Sequence, residues 1–197
     1  MEASPLRIIR YPHPTLRHVS KTIRRVDAEL TTIVERMFDL MYEAQGIGLA
    51  ANQVDLPLRF FVVNLAGKPG EGEERVFLNP VITRPKGSEE SEEGCLSLPG
   101  MYGDVTRPKQ VRIHAYDVSG NVIQEDASGM LARVLQHELD HLDGVLFFDR
   151  MDEMKRLKFT DALEQLESEF AEAVASGELT SVAEMAARRS EWERTYC

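Results

Sequence analysis

Residues 128–144 read SGMLARVLQHELDHLDG. Met130, Leu131, Val134, Leu135 and Leu142 recur at the spacing that puts them on one broad face of a helix. Ser128 stands where an N-cap belongs, and Gly144 where such a helix stops. Within it, Gln136-His137-Glu138-Leu139-Asp140-His141 contains H-E-x-x-H. At i, i+4 the two imidazoles share a face about one turn apart, so one divalent ion can bridge them. Glu138 lies three residues from His141, near enough for its carboxylate to reach a water on that ion without ligating it, which is the general-base position.

Two histidines do not complete a catalytic site, which typically uses three protein ligands and keeps one position for water. A metzincin would continue H-x-x-G-x-x-H, but Leu142-Asp143-Gly144-Val145-Leu146-Phe147 supplies no third His. Glu164 stands at a thermolysin-like distance, yet beside Glu167 and Glu169 it reads as surface charge. Cys95, in Glu93-Gly94-Cys95-Leu96-Ser97, is the better candidate. Glu89, Glu90, Glu92 and Glu93 disfavour a free thiolate, whereas a bound metal supplies a cation and deprotonates the thiol. Gly94 points to close backbone approach there. A third segment, Gly46-Ile47-Gly48-Leu49-Ala50-Ala51-Asn52-Gln53, follows a helix and has no P-loop Lys, which argues against nucleotide binding. Its small residues admit another backbone, and the Gln53 amide is a donor for a developing oxyanion. Taken alone, the segment reads equally well as a tight helix-to-strand connection.

Around these segments the chain is ordinary in composition. Its 197 residues, 43% apolar and 28% charged, suit one domain with room for a small appendage. Lys and Arg number 23 against 33 Asp and Glu, a net charge of −10 and the wrong sign for gripping phosphates, so no direct nucleic-acid binding is expected. No apolar run approaches the roughly 20 residues that cross a bilayer, and Met1 to Arg10 lacks the apolar core of a signal peptide, so the expected location is cytoplasmic, without a membrane. Two cysteines, Cys95 and Cys197, do not make a disulfide scaffold.

Two X-Pro steps, Tyr11-Pro12 and His13-Pro14, make Ser4 to Val26 an extended, wrapping arm. From Asp27, the spacing of Leu30, Ile33, Val34, Met37, Phe38 and Met41 predicts a helix ended by Gly46. Arg59 to Leu65, Arg75 to Ile82, Val111 to Asp117 and Asn121 to Glu125 read as strands, Lys68 to Glu74 as a hairpin loop and Pro85 to Glu93 as an acidic loop. Beyond Phe148 the pattern is helical, with Gly177 setting off a last helix whose contact stripe is Val182, Met185 and Trp192.

The three segments in order, G-x-G-x-A-A-x-Q at Gly46 to Gln53, E-G-C-L-S at Glu93 to Ser97 and Q-H-E-x-D-H at Gln136 to His141, resemble the signature of peptide deformylase. That family removes the formyl group from the N-terminal formylmethionine of new proteins and releases formate. The resemblance covers roughly residues 5–160. It implies an α+β fold, antiparallel β-sheets around a central metal-binding helix, with an additional C-terminal helix; residues 1–170 would form the catalytic domain and 171–197 a helical extension. It implies that Cys95, His137 and His141 ligate one divalent metal, usually Fe2+ in the family, with Zn2+, Ni2+ or Co2+ as other occupants. Glu138 would be the acid/base residue, with the Gln53 amide and the Leu96 backbone N–H on the oxyanion. Arg107 would pair with Glu93 and fix the Cys95 loop.

The substrates implied are N-formylmethionyl nascent peptides, met in transient proximity to the ribosome. Their backbone would pair as an added strand with Ile47, Gly48 and Gly94, and Met130 and Val134 would line the slot for the Met side chain. Tyr102 stands where some members have an Arg, and Asn52 replaces a Thr of some members. The tail carries eleven acidic and six basic residues from Met151 on, so it suits capping of the domain or a homodimer contact better than RNA. The competing readings are an H-E-x-x-H metallopeptidase with Glu164 as third ligand, and a non-catalytic binding protein, which the presence of Glu138 and Gln53 argues against.

Overall fold

Apolar runs that are buried on both faces become strands between two helices. The computed structural model describes residues 6–197, so Ser4 and Pro5 of the arm lie outside the described residues. Its strands are β1 (Gly48–Ala50), β2 (Phe60–Val63), β3 (Arg75–Lys86), β4 (Glu89–Cys95), β5 (Leu98–Arg107), β6 (Gln110–Tyr116) and β7 (Val122–Ser128). One sheet has the order β1-β2-β3-β6-β7, and β4 and β5 form a second; both are antiparallel throughout. The principal helices are α1 (Ala28–Glu43) and α2 (Gly129–Leu142), followed by the short α3 (Glu153–Arg156), then α4 (Thr160–Ser176) and α5 (Val182–Tyr196).

Period-two alternation explains the layering. Leu49, Phe60, Val62 and Leu78 meet Leu30, Val34, Met37, Phe38 and Met41 of α1, whereas Ala50, Phe61, Val63 and Phe77 meet Val134, Leu135 and Leu142 of α2. Each fully buried Phe of β2 is worth roughly 2–3 kcal/mol in transfer free energy, enough to pin the register of the sheet between its helices. The Asp27 carboxylate caps α1 by accepting the Leu30 N–H at 3.0 Å. Ser128 holds the N-cap position of α2, but its hydroxyl makes no capping bond, because β7 runs directly into the helix. At the other end of α2, Gly144 has φ +73, and a Cβ there would lie 2.6 Å from the Arg17 carbonyl oxygen of the arm.

The acidic segment 85–93 is not a loop. Its Glu residues form β4, whose partner β5 gives no strand signal in the hydropathy pattern. Along β5 the buried positions alternate as Met101, Gly103, Val105 and Arg107, and two of these four are not apolar. Gly103 is needed because a Cβ would strike the Met151 side chain at 2.6 Å. Leu98, Met101 and Val105 pack with Leu146, Phe147, Phe148, Met151 and Phe159 in a third cluster. In the tail, Met185 is buried and Trp192 packs partly buried, but Val182 is 50% exposed. Tyr196 completes the stripe instead, seated in the α1 cluster with its hydroxyl donating to Asp27 and Glu29. No helix among the described residues is long and apolar enough to cross a membrane.

Candidate active site

Helix α2 carries His137 and His141 toward the turn between β4 and β5. There the register slips between Gly94 and Cys95, and Cys95 faces the helix. The ligand atoms of Cys95, His137 and His141 all lie within 4.8 Å of one another, and His141 Nε2 is 3.2 Å from Cys95 Sγ. His137 Nδ1 donates to Glu93 Oε2 at 3.0 Å, which leaves Nε2 as its ligand atom.

Glu93 is the hub behind these ligands. Arg107 grips it with two bonds, Nε to Oε1 at 2.7 Å and Nη2 to Oε2 at 2.9 Å, and Arg133 adds Nη1 to Oε1 at 2.6 Å. Arg107 then reaches Asp140 at 2.8 Å, and Asp140 holds Arg150 at 2.6 Å. Burial raises the Glu93 pKa, but the bonds from His137 and Arg107 outweigh it and bring the group down to about 2. Burial works against the His137 cation, yet Cys95 and Glu93 raise its pKa to about 10. His141 is held the other way: burial first, then the charges of His137 and Arg107, keep it well below the usual imidazole range. A thiolate and two imidazoles at this spacing are the donor set of a soft or borderline divalent ion, and the residues fit one.

Glu138 sits beside this set with 4% of its surface exposed, and its Oε2 has no hydrogen-bond partner. Burial pushes its carboxyl up to about 7. Gly48 makes room for it, since a Cβ there would lie 2.5 Å from Glu138 Oε1 and 3.0 Å from Val134 Cγ1. On the opposite side, Gln53 Oε1 accepts the Ala50 N–H at 2.9 Å, while Nε2 extends to Cys95 Sγ at 3.5 Å and Ser97 Oγ at 3.3 Å. The structure thus brings Gln53, Cys95, His137, Glu138 and His141 together, with Gly48 and Val134 at the rim. Ile47 and Leu96 are half-buried in the flanking loops, Gly94 is half-buried on β4, and Met130 lies 57% exposed at the start of α2. Glu164 is exposed on α4.

The sequence profile of the family described as Polypeptide deformylase matches residues 5–157. The chain belongs to that family. It is 52% identical to the peptide deformylase of Rhodopirellula baltica over 192 residues, covering 98% of this chain and 96% of the relative. It is 46% identical to a chloroplastic peptide deformylase 1B of Oryza sativa subsp. japonica over 170 residues, which is 86% of this chain and 63% of the rice protein. A plant peptide deformylase crystal structure superimposes with a TM-score of 0.85 at 44% identity, covering 89% of this chain and 96% of that one. The α+β architecture with its C-terminal helix is that of the deformylases, and the chain is a metal-dependent hydrolase that removes N-terminal formyl groups. The metallopeptidase alternative is not favoured.

Two charges of the deformylase centre have partners that the sequence does not disclose. Arg133 looks like a solvated charge of a surface helix, and Asp140 lies within Q-H-E-x-D-H without any sign there of what it meets. They point inward because Arg133 lies one turn before His137, and Asp140 beside His141 meets Arg107. Asn52 is more than a neutral replacement: its buried amide donates to the His141 carbonyl and ties the Gln53 turn to the end of α2.

Proposed function

We propose that Cys95, His137 and His141 hold one divalent ion, with Fe2+ as the resident metal and Zn2+, Ni2+ or Co2+ able to replace it. The observation that carries this reading is the convergence of one sulfur and two imidazoles, within 4.8 Å of one another, beside a buried and unpartnered Glu138 oxygen. Such an ion supplies a Lewis acid that polarises the formyl carbonyl and makes water nucleophilic at neutral pH.

The residues of the chain perform the remaining steps. Glu138 takes the proton of the attacking water and returns it to the leaving amine, so that water and formyl-peptide become formate and a free N-terminal Met. Gln53 Nε2 and the Leu96 N–H donate to the oxygen on which negative charge develops; losing one such donor costs on the order of a hundredfold in rate. The substrate backbone adds as a strand at Ile47 and Gly48, beside the edge strand β1, and against Gly94 on the other sheet. Main-chain pairing of this kind leaves positions after Met free to vary, which suits nascent peptides. Val134 and Met130 line the Met slot. Residues 171–197 serve as an extension of a catalytic domain 1–170, and the protein works in the cytoplasm close to the ribosome.

The test is formate release from formyl-Met-Ala-Ser by anaerobically purified protein, with metal content measured on the same sample. Formate from this peptide, none from its acetylated analogue, and a Glu138→Ala variant that keeps its metal but loses turnover are the expected results. A fully metallated sample that releases no formate refutes the reading.

A further inference from the structure

We propose that α5 is a positioning element of the active site, in which Arg188 aligns the Gln53 amide through Asp55. The inference rests on the deformylase reading above and concerns a helix beyond residues 5–157, which carry the family match.

Gln53 belongs to the 3₁₀ turn Ala51–Val54, which ends at Asp55 in the left-handed region, φ 64. A non-glycine residue at such a φ persists where its surroundings over-determine it. Inside the turn, the Asp55 N–H donates to the Asn52 carbonyl at 3.2 Å and the Leu56 N–H to the Ala51 carbonyl at 3.1 Å. Outside it, the buried Asp55 carboxylate accepts the Thr15 hydroxyl on Oδ1 and pairs with the Arg188 guanidinium on Oδ2. Arg189 donates to that same Thr15 hydroxyl at 3.3 Å. The backbone two residues beyond Gln53 is therefore gripped from α5.

A second route leads to the same place. The arm holds both loops of the site, Ile9 N–H to the Gln53 carbonyl at 2.8 Å and Tyr11 N–H to the Ser97 carbonyl at 3.0 Å. The tail holds the arm in turn: the Tyr11 hydroxyl donates to Glu167 at 2.6 Å, Glu193 pairs with His18 and Lys21, and Arg24 N–H donates to the Tyr196 carbonyl at 2.8 Å. Gln53 Nε2 is held only by a weak acceptor, Cys95 Sγ at 3.5 Å, and by a long bond to Ser97 Oγ at 3.3 Å, so the turn that carries it sets the aim of the amide.

The experiment compares kcat, KM, metal per chain and Tm for the full-length metal-loaded parent and for Arg188→Met, Arg188→Lys and Asp55→Asn, and repeats Arg188→Met in a Gln53→Ala background. Arg188→Met lowers kcat about tenfold, short of the ~100-fold cost of a 1 Å misplacement, with KM and metal content within about twofold of the parent. Arg188→Lys restores most of the loss, and Asp55→Asn reproduces it by removing the charge that Arg188 holds. In the Gln53→Ala background Arg188→Met adds no further loss, since the group it aligns is already absent. A tenfold loss that persists without Gln53, or an unchanged kcat in both Arg188→Met and Asp55→Asn, overturns the proposal. No formate from the metal-loaded parent overturns the deformylase reading and this inference with it, an outcome distinct from variants that match an active parent.

Discussion

Replacing Gly48 by Ala puts a methyl group where Glu138 now lies. The added Cβ would stand 2.5 Å from Glu138 Oε1, 2.9 Å from its carboxyl carbon and 3.0 Å from Val134 Cγ1. Ordinary contact begins at 3.4 Å, so the carboxylate, the strand or both must give way by about 0.9 Å. β1 cannot yield readily, because it is buried and paired with β2 from Gly48 to Ala50. Val134 backs the carboxylate on α2, whose packing against the sheet is tight. The movement therefore falls mainly on Glu138. Displacing a proton-transfer group by about 1 Å costs on the order of 100-fold in rate, and overpacking a core site costs about 1–3 kcal/mol. Gly48→Ala should release formate from formyl-Met-Ala-Ser with kcat reduced about 100-fold, with full metal content and with Tm lowered by a few degrees. Full metal content is expected because the three nearest atoms to the new methyl belong to Glu138 and Val134 and none to a ligand. A variant that keeps kcat within threefold of the parent refutes the argument that Gly48 exists to seat Glu138.

Three further outcomes follow from the packing and the charges. Glu93→Gln leaves Arg107, Arg133 and His137 facing a neutral amide, so competition with a chelator should show metal affinity about 10–100-fold weaker; unchanged affinity contradicts the role of Glu93 in orienting His137. Burial, with Arg188, Arg189 and Arg7 near, lowers the His13 pKa from 6.5 to about 4, so the unfolded chain takes up the proton first as pH falls. Stability present above about pH 6.5 is then lost towards pH 4, by up to roughly 3 kcal/mol. Urea unfolding between those values should show that slope, and His13→Asn should flatten it; an equal slope in both proteins counts against this. Tyr196→Phe deletes bonds to Asp27 and Glu29 at 2.9 and 3.0 Å and should cost about 1–2 kcal/mol, read as a Tm lowered by about 2–8 °C. An unchanged melting curve would show that the buried ring alone seats α5.

The helices and four of the strands were legible because their burial is one-sided or complete and is written in apolar residues. β4 and β5 were not, because their inward positions serve other ends. Gly103 is small to admit Met151, while Arg107 and Glu93 face inward as an ion pair, so the apolar alternation that marks a strand is broken. In the site, Cys95, Glu138, His137 and His141 announce themselves by residue type and spacing. Arg133 does not, since a buried guanidinium and an exposed one are the same letter. Only the approach of α2 to the β4–β5 hairpin decides which charges are desolvated. The tail shows the same limit: whether Val182 or Tyr196 meets the core depends on where the arm lies, and helical spacing in α5 alone does not record it.

The meeting of arm and tail also governs the order in which the molecule can be built. Tyr11 and Glu167 are 156 positions apart, and His18 and Glu193 are 175 apart, so each such bond closes a loop nearly as long as the chain. Loops of that size are closed late, after the sheet and its two helices have formed from nearer partners. During synthesis the arm can fasten to Gln53, Pro57 and Ser97 as those residues are made, but its contacts with the tail wait until α5 exists. Where its polar contacts are exposed, as at Tyr11 and Glu167, the same seam can open locally, and hydrogen exchange at Ile9 and Tyr11 would report such opening at the two loops of the site.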